Sequence, residues 1–173
     1  TPSNAPAFTA DRGYTGNGTS ALLATGFNPT VAGGKWTLNS ATFAVMIQTG
    51  TAEDIVDAGA AGGYIDARLA GGLLAGQINN LTTLSAAVPT PVGLSALSRT
   101  AATTASAYKN GVCVASSAVA ATAMPNAALP FLGALGTFST KTFSAAFFGA
   151  GLTAEQHLAA YNAISTYMTA VGA

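Results

Sequence analysis

The sequence predicts an all-β domain: an antiparallel sandwich closed by one C-terminal amphipathic helix. Three observations predict it. Short segments alternating with period two recur along the chain, separated by Gly, Pro and Asn signals. An Asn-Gly dipeptide, Asn110-Gly111, stands between two such segments and supplies both positive-φ residues of a type I′ hairpin turn. A helical apolar period appears only after Thr153.

Read in order, Thr1 to Ala7 is a Pro-containing arm, since Pro2 and Pro6 disfavour regular pairing, and a single domain runs from residue 8 to 173. Without a basic segment followed by an apolar run the N-terminus carries no secretory pattern, and without an initiating Met the chain is expected to be processed or part of a longer protein. Strands are expected over Ser20 to Thr25, Ala41 to Thr49, Asp54 to Ala58, Gly63 to Leu69, Leu73 to Ile78, Val92 to Arg99, Thr104 to Lys109, Val112 to Ser116, Leu129 to Leu132 and Lys141 to Phe148. The clearest is Ala41 to Thr49. It sends Phe43, Val45 and Ile47 to one face and Thr42, Ala44, Met46 and Gln48 to the other. Phe43, Val45, Ile47, Phe143 and Phe147 should be buried.

The Asn-Gly turn pairs Lys109 with Val112 and Tyr108 with Cys113, placing the one thiol beside an aromatic ring as a packed small hydrophobe. Thr153 opens a Thr-x-x-Gln capping box with Gln156. Leu158, Tyr161, Ile164 and Met168 then form the stripe of a helix over residues 153–168, with Gly172 as its stop. His157, four residues before Tyr161, takes a structural role.

Charge excludes several functions. Only 7% of the 173 residues are charged, and six Lys+Arg cancel six Asp+Glu. The cations Arg12, Lys35, Arg68, Arg99, Lys109 and Lys141 are scattered singly, so nucleic acid, whose phosphates need clustered cations, is not a partner. No apolar run approaches the ~20 residues that a membrane-spanning helix requires. A neutral surface rich in Ala, Thr, Ser and Gly offers little long-range repulsion, and a homo-oligomer, most simply a cyclic dimer or trimer, is expected.

Chemistry-bearing residues are sparse. The acidic run Glu53-Asp54-Ile55-Val56-Asp57 does not place two carboxylates at alternate positions of one strand face, as a sandwich glycosidase would, and reads as solvated carboxylates at a strand edge. Asp54, Asp57 and Asp66 are weak calcium candidates, and a single His with a single Cys makes no zinc set, so no cofactor is expected. A sugar site needs only an aromatic platform with a few polar partners, which Trp36, Tyr14 or Tyr64 with Asn17, Asn39 and Asn79 can supply. Asn17-Gly18-Thr19 and Asn80-Leu81-Thr82 fit the N-glycosylation pattern.

The order of several motifs resembles a known family. These are Asp11-Arg12-Gly13-Tyr14-Thr15-Gly16-Asn17-Gly18, Thr25-Gly26-Phe27-Asn28-Pro29, Ser98-Arg99-Thr100, Tyr108-Lys109-Asn110-Gly111, Phe131-Leu132-Gly133-Ala134 and Phe143 to Gly149, running into Leu152-Thr153-Ala154-Glu155-Gln156. From about Phe8 onward the chain is similar to the laminin-G/concanavalin A-like lectin-glucanase jelly-roll domains, of the type found in tailed-phage and prophage structural proteins. The resemblance implies a jelly-roll sandwich. It also implies a noncatalytic structural or interaction module of a phage-like virion: a capsid decoration, head fibre or tail spike domain at the virion surface, with other virion proteins as partners. A lectin-like adhesion module binding a cell-surface glycan is the alternative, and a glycoside hydrolase a distant third. The family's paired catalytic carboxylates and its calcium ligands have no matching motif in this sequence.

Overall fold

Unbroken alternation from Ala41 to Thr49 makes the central strand of the molecule, and the rest of the fold is layered on its two faces. The computed structural model describes residues 1–173. In chain order the elements are β1 (Pro2–Ser3), β2 (Ala7–Thr9), β3 (Gly13–Thr15), β4 (Leu22–Leu23), α1 (Pro29–Ala32), β5 (Ala41–Thr49), β6 (Ala58–Ala60), β7 (Gly63–Asp66), β8 (Leu73–Ile78) and β9 (Leu84–Ala87). They continue with β10 (Gly93–Ala101), β11 (Thr104–Lys109), β12 (Val112–Ser117), β13 (Gly133–Ala134), β14 (Thr137–Phe138), β15 (Thr142–Gly149) and α2 (Ala154–Ala170). A seven-stranded antiparallel sheet in the order β12-β11-β10-β5-β15-β3-β2 faces a four-stranded sheet in the order β6-β7-β8-β9. Phe131 bridges Leu23 on one side and Ala58 on the other, so it links the small β1-β4 pair to the edge of the second sheet. The expected strand at Leu129 to Leu132 is reduced to these bridges.

Phe43, Val45 and Ile47 enter the main core with Ile65, Leu74, Leu97 and Leu132, between the two sheets. The opposite face of β5 is buried too. Ala44 and Met46 join Leu94, Ala96 and Tyr108 in a second cluster, against which Tyr161 and Ile164 of α2 pack. The helix therefore forms a third layer on the outside of the larger sheet. Phe143 is buried as expected, whereas Phe147 is half-buried. The cause is a register shift in β15 between Phe143 and Ala145, which turns Phe147 toward the helix side and Phe148 into the main core.

The Asn110-Gly111 hairpin has the expected register, Tyr108 opposite Cys113 and Lys109 opposite Val112. Its two central residues have φ of 51° and 79°. Cys113 is not packed, however; it lies on edge strand β12 and is exposed. The helix starts at the Thr153 capping box as predicted. Tyr161, Ile164 and Met168 face the sheet as expected, but in the first turn His157 is buried in place of Leu158, which is 45% exposed. The turn explains this. A Cβ on Gly111 would lie 2.6 Å from the Leu158 Cα, so the first helical turn sits directly on the hairpin and His157 faces the sheet beneath.

Two other expectations change. Asp54 to Asp57 form a loop rather than a strand, because their side chains cap backbone groups: Asp54 Oδ1 accepts from the Ala70 N–H at 3.0 Å and Asp57 Oδ2 from the Ala67 N–H at 2.8 Å. The arm expected at residues 1–7 lies along its own domain. Pro2 and Ser3 pair with Leu23 and Leu22, Pro6 is buried and Ala7 opens β2. Proline is accommodated there because β1 is an edge strand whose missing N–H is not needed by the ladder.

His157 supplies a stability test. Its ring is fully buried and stacked on Tyr108 with centroids 3.9 Å apart, and neither nitrogen has a hydrogen-bond partner. Burial pulls its pKa down to about 4. The folded-state value lies below the unfolded one of about 6.5, so this contribution to stability is complete above pH 6.5 and is lost as pH falls toward 4. Thermal melts of the wild type and His157→Phe across pH 4–7 should show the difference in Tm shifting toward the variant as the solution is acidified. A constant difference would mean that His157 takes up its proton as readily in the folded protein as in the unfolded chain.

Candidate functional site

The acidic run is organised by a lysine distant in sequence. Lys141 opens the approach to β15, and its Nζ is fully buried. It lies 2.8 Å from Asp57 Oδ1 and 3.0 Å from Glu53 Oε2, with side-chain exposures of 0% and 17% for the two carboxylates. Ser139 Oγ donates to Asp57 Oδ1 at 2.8 Å, and Thr140 Oγ1 donates to Glu53. Burial pushes the Glu53 pKa up, but the hydrogen bonds from Thr140 and Lys141 outweigh it and hold the group below its ordinary value. Glu53 and Asp57 are thus anchors of a buried ion pair, not solvated edge residues. Since both grip one ammonium, they do not flank a cleft as a glycosidase pair would. Nor do Asp54, Asp57 and Asp66 converge as calcium ligands: Asp57 is committed to Lys141, Ser139 and Ala67, and no group of three or more such side chains is placed to hold a metal.

The six sugar-site residues are dispersed. Trp36 is 2% exposed, and its Nε1 donates to Asn79 Oδ1 at 2.8 Å. Asn79, itself fully buried, donates to the carbonyls of Thr37 and Leu38, both at 2.8 Å. These two residues form an internal knot that ties the Thr37 turn to the end of β8. Trp36 is therefore an anchor and not a platform, since its indole N–H finds its partner inside the protein. Asn17 is exposed, but its Oδ1 is occupied by the N–H groups of Thr19, Ser20 and Ala21 at 2.8–3.0 Å. Asn39 is exposed in a tight turn bracketed by the Thr37–Ser40 bridge. Asn80 of the second glycosylation match is 5% exposed and donates to the Ala120 carbonyl.

Tyr14 lines an apolar cleft of 290 Å³ with Leu23, Phe131, Phe143 and the exposed Phe8, whose ring lies 4.9 Å from its own. Ser144 supplies the one side-chain hydroxyl besides the Tyr14 phenol, so the cleft has few groups to orient a polar ligand.

Tyr64 opens a different cavity. On β7, Ile65 enters the core, so Tyr64 and Asp66 project from the other face of the second sheet. Between them and the 54–56 loop lies a cavity of 220 Å³, lined by Asp54, Ile55, Val56, Tyr64, Asp66, Leu69, Ala75, Thr83 and Thr137. The Tyr64 and Thr83 hydroxyls are hydrogen-bonded at 3.0 Å. Asp66 is 1% exposed; its Oδ1 accepts from the Arg68 N–H at 3.1 Å, and Oδ2 has no partner. The space is walled almost entirely by apolar surface, with the hydroxyls of Tyr64, Thr83 and Thr137 engaged inside the protein. The sequence named Tyr64 and Asp66 for different chemistries. Thr83 and Thr137 carry no sequence signal, because each depends on which loop folds over the sheet.

No protein-family model matches the chain, and no curated protein matches it. Solved structures do. The chain is 8% identical to a structure described as an HCR/D F1240A mutant, with a TM-score of 0.61 over 95% of this chain and 46% of that one. It is 14% identical to the Trypanosoma rangeli sialidase in complex with 2,3-difluorosialic acid, with a TM-score of 0.52 over 75% of this chain and 24% of that one. It is 17% identical to domain 4 of AbnA, an extracellular GH43 arabinanase from Geobacillus stearothermophilus, in complex with arabinotriose, with a TM-score of 0.55 over 92% of this chain and 80% of that domain. The chain thus spans about half of the first of these and a quarter of the second. These likenesses establish a jelly-roll-type β-sandwich.

Removing one side of the buried ion pair should be costly. Lys141→Met leaves Asp57 buried without its cation and should destabilise the protein by about 3–5 kcal/mol in a denaturant titration. A loss below about 1 kcal/mol would show that water reaches the pair.

Proposed function

We propose that this chain is a noncatalytic interaction module whose ligand is a carbohydrate, held in the Tyr64 cavity. The observation that carries the reading is the cavity itself: the Tyr64 side chain opens onto a small space between apolar walls, with Asp54, Thr83 and Thr137 on its margin. Sugars present C–H faces as well as hydroxyl edges, and the aromatic and apolar walls suit the C–H faces. At 220 Å³ the cavity is smaller than the clefts of roughly 300 Å³ and above that enclose drug-sized ligands, which suits one ring of a glycan whose remainder stays in solvent. Support from the fold is of the same kind, since the arabinanase domain resembling this chain was solved with arabinotriose. Catalysis is left out of the reading because Glu53 and Asp57 are spent on Lys141.

A second reading, a structural domain of a phage-like virion that contacts other virion proteins and copies of itself at the particle surface, draws on a different observation. Arg99, Lys109 and Lys141 are buried, as are Asp57 and Asp66, so the outer surface carries even less charge than the sequence does. Such a surface tolerates close neighbours. The virion setting itself rests on the motif resemblance.

The two readings have separate tests. On a glycan array, Tyr64→Ala should lose at least about tenfold in binding with little change in Tm, while Tyr14→Ala, in the other cleft, should bind as the wild type does. Retention of binding in Tyr64→Ala would move the site elsewhere. Sedimentation equilibrium should show a dimer or trimer at high protein concentration if the surface serves assembly; a monomer throughout would remove self-association from the second reading.

A further inference from the structure

The buried ion pair sets a nucleophile against an electrophile. An amine and a carboxylic acid become an amide by losing one water, and in proteins this is ordinarily prevented because both groups are charged, solvated and free to part. Around Lys141 each obstacle is lowered. Its Nζ and the Asp57 carboxyl are both closed to solvent, and Nζ lies 2.8 Å from Oδ1, one bond short of the carbon. Burial pushes the Asp57 carboxyl toward its uncharged form even though Lys141 opposes it. Glu53, held below its ordinary pKa and so ionised, has Oε2 3.0 Å from the same Nζ and can take a proton from it. The two oxygens of Asp57 are placed differently. Oδ2 accepts from the Ala67 N–H at 2.8 Å, a fixed donor where the charge of a tetrahedral adduct would collect. Oδ1 accepts from Ser139 Oγ at 2.8 Å, and that hydroxyl lies 3.4 Å from Glu53 Oε2. Lys109 shows what the other buried amine lacks: its Nζ meets the Pro91 carbonyl and Ser95 Oγ, and no carboxyl.

We propose that Lys141 Nζ and Asp57 Cγ condense into an intramolecular amide, an isopeptide bond, with Glu53 moving the protons. One proton passes from the ammonium to Asp57 Oδ1, leaving a neutral amine beside a neutral acid. The Nζ lone pair attacks Cγ, the C–N bond forms, and negative charge gathers on Oδ2 against the Ala67 N–H. Glu53 takes a second proton from Nζ and returns it to Oδ1 through the Ser139 hydroxyl. The Cγ–Oδ1 bond then breaks. Oδ1 leaves as water with both protons, Oδ2 becomes the amide carbonyl, and the third proton stays on Nζ. Nothing is oxidised or reduced, and Glu53 ends as it began. The product replaces two buried charges, which are costly to hold out of water, with one neutral group. It also ties Asp57, just before β6 of the smaller sheet, to Lys141, 84 residues on and just before β15 of the larger one, so the two layers are cross-linked covalently. No ligand takes part, and the proposal is independent of the carbohydrate reading.

Mass spectrometry of the purified full chain is the test. The folded wild type should weigh less than its sequence by the mass of one water. Trypsin should then release residues 36–68 joined to residues 110–173, with the chain uncut after Lys141 and the fragment ions placing the link between Asp57 and Lys141. Lys141→Arg keeps the positive charge but removes the amine, and should retain the full mass. Glu53→Gln keeps both reacting groups and a side chain of the same size, and should slow the loss of water by about a hundredfold or more. Circular dichroism establishes that each protein is folded; should Lys141→Arg fail to fold, the wild-type mass and the linked peptide decide alone. The inference is overturned if the folded wild type keeps its full mass after prolonged incubation, if Lys141→Arg loses the same water, or if the linked peptide joins other residues. Loss of water from Glu53→Gln at the wild-type rate overturns the role given to Glu53.

Discussion

A single ammonium group without access to water decides where the loops over the second sheet can lie. Lys141 stands at the foot of β15 and draws Glu53 and Asp57 to it, so the 53–57 loop is pinned to the larger sheet while it runs over the smaller one. That loop carries Asp54, Ile55 and Val56, which wall the Tyr64 cavity. The ion pair is expensive to bury and makes up the cost only through its full set of partners: Ser139 and the Ala67 N–H on Asp57, and Thr140 on Glu53. Its value lies in placement, since no apolar pair would hold the loop at one height above β7.

The other buried cations are held by neutral oxygens, with no carboxylate in direct contact. Arg99 is fully buried, with its guanidinium aimed at the carbonyls of Ile78, Ala101, Ala102 and Val119 at 2.8–3.4 Å. Lys109 donates to the Pro91 carbonyl and Ser95 Oγ, and its burial lowers its pKa to about 8. Both residues staple loop ends to the β10-β11 hairpin. Charge that a reader of the composition would assign to the surface is thus consumed as internal scaffolding.

This bears on what was legible in the sequence. The strands Ala41–Thr49, Leu73–Ile78 and Thr104–Lys109 match their expected limits, the first and third through their alternation and the second because Gly71-Gly72 and Asn79-Asn80 bound it. The hairpin register and the capped helix followed from local chemistry alone. β9 (Leu84–Ala87) went unread because Ala and Ser at alternate positions give almost no contrast between faces, and β1 to β3 because two or three residues cannot show a period. Long-range pairing was invisible. Nothing in Trp36 shows that its indole will meet Asn79, 43 residues on, or in Asp57 that Lys141, 84 residues on, will cancel its charge. Tyr64 and Asp66 were both visible as single residues, but only the folded loop makes them two walls of one space.

The glycine at position 111 has a consequence for how this architecture can vary. It is the second turn residue of the hairpin and also the floor on which Leu158 rests, so the turn's handedness and the seating of the helix are one requirement. A hairpin tip is ordinarily where a domain absorbs insertions between homologues or accepts grafted peptides. Here that freedom is closed, because any added residue would lift the third layer from the sheet. Gly33, Gly34 and Gly71 stand with open space around them. Those loops, and not the tip between β11 and β12, are where an added residue meets no neighbour.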